Sequence, residues 1–147
     1  MTSLGAGADD PASTAAWGDE ALHTTHEVSL PRGITLRIAS VRRAELVVAV
    51  NQGRVRERED ITGLRLWDFG RALAAFAVRH ANAFRGKRVI EMGAGCGVLS
   101  LAVACGCEGV TSVCATDASS MEFLQRNVDA HRGLFVEGAD VQVERLL

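Results

Sequence analysis

The rhythm of apolar and polar positions changes several times along the chain, and each change predicts an element. Ile34-Thr-Leu-Arg-Ile38 alternates apolar with polar residues, the mark of a half-buried strand. Glu45 to Val50 is apolar and β-branched, and reads as another strand stopped by Asn51-Gln52-Gly53. From Arg71 to His80, Leu73, Phe76, Ala77 and His80 recur at helical spacing, so an amphipathic helix is expected with Asp68 as its N-cap. From Gly86 the order becomes strand, tight turn, helix, strand. Arg88–Met92 is the first strand, Gly93-Ala-Gly-Cys-Gly97 the turn, and Val98 to Cys105 an apolar helix closed by Gly106 at its C′ position. Val110 to Thr116 is the second strand, ended by Asp117. Ser119 or Ser120 then caps a helix reaching Asn127 to His131, with Met121, Leu124 and Val128 on one face, and Asp140–Glu144 alternates as a third strand.

Strands alternating with helices predict an α/β fold with a parallel sheet. Three regions are expected: residues 1–21 as a disordered leader, 22–61 as a small N-terminal β element, and 62–147 as an incomplete α/β domain. The leader has neither basic residues nor an apolar core, so it reads as neither a secretory signal nor a transit peptide. No apolar run approaches the ~20 residues of a membrane span. The run Arg54 to Asp60 mixes acids and bases that nearly cancel, as in a solvated loop.

Composition adds exclusions. Hydrophobic residues at 48% and charged residues at 23% rule out wholesale disorder, and a net charge of −2 gives no electrostatic case for nucleic acid. Cys96, Cys105, Cys107 and Cys114 lie close together but form no CxxC pair. They read as reduced thiols packed like small hydrophobes, which suits a reducing, cytoplasmic setting, and no metal site is expected. His23 and His26 lack ligand partners at suitable spacing and read as surface histidines.

The chemistry concentrates in Glu91-Met-Gly-Ala-Gly-Cys-Gly97 at a strand-to-helix turn, with Asp117 at the end of the neighbouring strand. Glycines let the backbone turn sharply and let a ligand approach without a Cβ in the way. Asp117 falls 20 residues after Gly97, the distance at which an acid on the next strand accepts hydrogen bonds from ribose hydroxyls. A dinucleotide site would read GxGxxG, whereas Val98 stands where its third glycine would fall. No P-loop lysine follows. A glycine turn plus a ribose acid without phosphate chemistry suits S-adenosylmethionine, and Gly97 counts with the cofactor-binding turn. An NAD-binding oxidoreductase fragment shares the same pattern and stays as the alternative, beside a non-catalytic, partner-dependent binding module.

The segments TGLRLWDFGRAL, GKRVIEMGAGCGVLSLAVACG and TDASSMEFLQRNV together resemble the protein-lysine methyltransferase-like family 16 of seven-strand methyltransferases, over about residues 26 to 147. The resemblance implies a Rossmann-like domain behind a small N-terminal β element, using S-adenosylmethionine on a protein lysine. It implies that Trp67 contacts the cofactor, that Gly93, Ala94 and Gly95 form its backbone cradle, and that Asp117 holds the ribose. Glu91 would sit beneath the loop in support. Family domains continue through a fourth strand with a short acidic motif and three more strands, whereas this chain ends in its third. The ligand crevice of such a sheet lies between the first and fourth strands, so one wall is expected to be missing. The unpaired edge is expected to invite self-association, and the chain alone to lack methyl transfer. No residue is assigned a catalytic role.

Overall fold

A computed structural model describes residues 23–41, 62–118 and 121–146. The expected leader, the strand at 45–50, the charge run and the capping serines 119 and 120 lie outside the described residues. The alternating segment at Ile34–Ile38 becomes the longer strand β2 (Thr35–Val41), which pairs antiparallel with β1 (His23–Ser29). The sequence pattern does not mark β1, because Val28 is its one buried residue. Leu36 and Ile38 are fully buried, and with Val28 and Leu30 they join one core with the rest of the chain. His23 and His26 are half-buried rather than surface residues. His23 stands edge-on to Phe123 at 4.8 Å, and His26 Nε2 lies 2.9 Å from Ser40 Oγ.

Helix α1 (Asp68–Arg79) forms where expected but presents a different face to the core. Its buried residues are Ala74, Ala77 and Val78, whereas Leu73, Phe76 and His80 are exposed. The physical reason is close packing on α2 (Val98–Gly106), a nine-residue helix apolar all round and buried accordingly. A Cβ on Gly106 would lie 2.7 Å from Val78 and 2.9 Å from Ile34. Gly106 is therefore the last helical residue, needed for a close contact, and not the C′ residue; Cys107 is the C-cap. Asp68 is likewise the first helical residue, with Trp67 in the N-cap position and no side-chain cap bond.

The βαβ reading corresponds to β3 (Arg88–Met92), α2, β4 (Ser112–Asp117), α3 (Met121–His131) and β5 (Val141–Arg145). The three strands form a parallel sheet in the order β3-β4-β5, with Ile90, Cys114 and Gln142 in register. This is an incomplete Rossmann-like fold. Val113, Ala115 and Val141 face the helices and are buried. On the opposite face Ile90 is 65% and Met92 77% exposed, and among the described residues β3 has β4 as its sole strand neighbour. Parallel sheets ordinarily have both faces covered, whereas the described residues cover this one on a single face. Three cysteines are buried and Cys114 is half-buried, all as free thiols.

Candidate functional site

The glycine turn leaves the C-terminal end of β3 and is tied down from three sides. The Ala94 N–H donates to the Thr116 carbonyl (2.8 Å), and the Thr116 hydroxyl donates to the Glu91 carbonyl (2.7 Å). The Gly97 N–H donates to the Ala94 carbonyl at 2.8 Å, closing the turn. The Gly95 N–H donates to Asp117 Oδ2 at 2.8 Å, which fixes the carboxylate at the end of β4. Asp117 is 6% exposed.

The glycines do different jobs. Gly93 has φ +71°, and a Cβ built there meets none of the described residues within 4 Å. Its outer side is open space that a ligand could occupy. Gly95 presses on the Thr62–Leu64 turn, where a Cβ would sit 2.9 Å from the Gly63 carbonyl oxygen. Gly97 has φ +81°, and its Cβ would lie 2.5 Å from Leu124 of α3. The first glycine faces the cleft, and the third faces the core.

Of the seven residues singled out for the cofactor, six line one cleft of about 830 Å3: Trp67, Glu91, Gly93, Ala94, Gly95 and Asp117. That size is within the range of small-molecule sites. Gly97 lies outside the lining and packs under Leu124. Trp67 is half exposed. Its Nε1–H donates to the Thr62 carbonyl at 2.9 Å, and the Arg65 guanidinium lies 4.7 Å from the ring centroid. Arg65, Phe69 and Leu146 also line the cleft, and the sequence pattern does not single them out.

Glu91 points to α2. Its Oε2 accepts from the Ser100 N–H at 2.9 Å and from the Ser100 hydroxyl. It thereby satisfies an otherwise unpaired amide in the first turn of α2, with its charge at the positive end of the helix. Burial raises the Glu91 carboxyl above its ordinary value; the Ser100 bonds oppose that shift and the neighbouring Asp117 charge adds to it. Burial, and secondarily Asp117, push the Cys96 thiol up to about 12, so it is neutral within the loop.

The sequence pattern places Asn127 on a helix but does not mark it as core. Asn127 of α3 is 1% exposed and donates to the Cys96 carbonyl at 2.9 Å. The signal was present, since Leu124, Asn127, Val128 and His131 keep helical spacing, but polar residues do not register as core. Among the described residues, no group of three or more His, Cys, Asp or Glu is placed to hold a metal ion, and no helix is long and apolar enough to cross a membrane.

Compared with known proteins, the model of a family described as lysine methyltransferase matches residues 53–147. That range takes in the turn, Asp117 and the whole parallel sheet. No curated protein matches the chain.

Proposed function

The chain belongs to this lysine methyltransferase family, and on that premise we propose that the cleft binds S-adenosylmethionine and that the methyl acceptor is a lysine of a protein. The observation that carries the reading is the pairing of an open glycine backbone at Gly93 with the buried carboxylate of Asp117 in one cleft. These residues fit the cofactor: the cradle would be filled by any Cβ at Gly93, and the carboxylate suits a ribose diol. When bound, S-adenosylmethionine supplies an electrophilic methyl group on a positively charged sulfur.

The chain's own residues bind and orient. Asp117 accepts hydroxyl hydrogens from a direction set in advance by its bond to the Gly95 amide. Trp67 offers an apolar plane backed by Arg65. Glu91 fixes the start of α2 through Ser100, and so acts on the cleft by holding the helix under the turn. Both cleft carboxylates are thus engaged in shaping the site, and we assign neither as a base for the acceptor amine.

The dinucleotide alternative gains nothing from the geometry. Val98, at the position of the third glycine, packs toward Gly70 of α1, 3.1 Å from where a Cβ would stand. The non-catalytic reading has one observation in its favour, the exposed apolar surface that Phe69, Ile90 and Met92 contribute to the cleft lining. We further propose a cytoplasmic setting, on the strength of the four free thiols.

A thermal-shift comparison tests the binding reading, with S-adenosylhomocysteine and NADH each added in excess. A rise in melting temperature with S-adenosylhomocysteine alone supports it, and a rise with NADH alone overturns it. Labelled methyl transfer to a lysine-rich protein mixture then separates an active enzyme from a binding module.

A further inference from the structure

The N-terminal hairpin and the glycine turn come from distant parts of the sequence, yet one amide group joins them. The outer edge of β2 presents the main chain of Arg37 and Ala39 to α3. Asn127 answers like a strand: its Oδ1 accepts the Ala39 N–H at 2.8 Å and its Nδ2 donates to the Ala39 carbonyl at 2.9 Å. The second Nδ2 hydrogen goes to the Cys96 carbonyl at 2.9 Å. Both donors and an acceptor lone pair of the amide are therefore used. His131, one turn on, strengthens the hairpin side only. Its Nε2 accepts the Arg37 N–H at 3.0 Å, so its ring hydrogen sits on Nδ1 and donates to the Asn127 carbonyl at 2.7 Å.

The Cys96 carbonyl belongs to the same peptide group as the Gly97 N–H, which closes the turn on Ala94. A peptide group is planar, so holding its oxygen also sets its N–H. We propose that Asn127 is a positioning residue for the cofactor turn, and that the β1–β2 hairpin serves as a brace transmitted through it. The proposal rests on the reading of the cleft as a cofactor site. Asn127 does not line the cleft, so its effect on binding passes through the Cys96 peptide.

The test compares Asn127→Asp with His131→Phe in the full chain. Asp can still accept from Ala39 but cannot donate to Cys96, whereas His131→Phe removes one hairpin bond, to Arg37, and leaves in place the Ala39 and Cys96 bonds of Asn127 through which the brace acts. Hydrogen exchange should show the Gly97 amide opening at least about tenfold faster, relative to the Val113 amide, in Asn127→Asp and not in His131→Phe. Affinity for S-adenosylhomocysteine should fall about tenfold in the first variant and less than about twofold in the second. Equal effects of the two variants, or no effect of Asn127→Asp on Gly97, would overturn the proposal. If the wild type does not bind S-adenosylhomocysteine, the cofactor reading fails, and the Gly97 exchange still decides whether Asn127 positions the turn. Should Asn127→Asp not fold, wild-type exchange with and without S-adenosylhomocysteine decides: the Ala39 amide should slow by more than Val113, and equal slowing would contradict the brace.

Discussion

Replacing Gly97 by alanine separates two costs that the structure assigns to different origins. Alanine at φ +81° carries a left-handed backbone penalty of about 1–2 kcal/mol. Its methyl carbon would also stand 2.5 Å from Leu124, which is fully buried, and forcing that side chain aside costs about a further 1–3 kcal/mol. The sum, roughly 2–5 kcal/mol, is a large share of a typical domain's ~5–15 kcal/mol. Urea unfolding followed by circular dichroism should show the midpoint lowered by about 1–2 M. Gly93→Ala is the internal control. It has a comparable φ of +71° but no atom of the described residues within 4 Å, so it should cost only the backbone part, about 1–2 kcal/mol. A Leu124→Ala background removes the overlap, and there Gly97→Ala should also cost only about 1–2 kcal/mol, leaving a coupling of about 1–3 kcal/mol in the double-mutant cycle. If Gly97→Ala is no more damaging than Gly93→Ala, or if its cost simply adds to that of Leu124→Ala, the assignment of Gly97 to the core is wrong.

Three further outcomes follow from the same contacts. Burial holds the Glu91 carboxyl above its ordinary value of 4.5, so the folded chain binds that proton more tightly than the unfolded one. The contribution of Glu91 to stability is therefore greatest below pH 4.5 and falls as pH rises through the folded value; Glu91→Gln, compared with wild type in chemical denaturation across pH, should lack this decline. Brief alkylation of the native protein, read by peptide mass spectrometry, should modify half-buried Cys114 ahead of Cys96 and Cys105, whose thiols are raised to about 12 and about 11 by burial; equal labelling would refute that order. The exposed Ile90 and Met92 predict that the wild type self-associates in sedimentation and that Ile90→Lys and Met92→Lys reduce it; a monomeric wild type, or an oligomer distribution unchanged in the variants, would count against that face as a contact.

The parallel sheet and the turn were legible because their signals are local. Short β-branched runs, a glycine cluster and an acid at fixed distance describe β3, the turn, β4 and Asp117 without knowledge of any neighbour. Elements whose character comes from a partner were not legible. In α1 the large residues Leu73 and Phe76 suggested the buried face, but α2 approaches so closely that only Ala74, Ala77 and Val78 fit against it. Strand β1 is polar because it lies at the margin of the core, and β2 supplies its pairing. Gly106 looked like a terminator, and its actual role depends on Val78 and Ile34 from other segments. Asn127 and His131 occupy core positions because the edge of β2 offers unpaired peptide groups that apolar residues could not satisfy.

The account stands most directly on whether Asp117 and the open glycine backbone hold a nucleoside cofactor. Calorimetric titration of S-adenosylhomocysteine into the wild-type chain and into Asp117→Asn measures this. Asparagine retains an acceptor for the Gly95 amide but removes the charge, so the turn should persist while hydroxyl binding weakens. Saturable binding to the wild type is expected, with a loss of about 1.5–3 kcal/mol in the variant, the scale of hydrogen bonds to a charged group. No heat with the wild type at saturating ligand, or equal affinity in both proteins, would contradict the assignment.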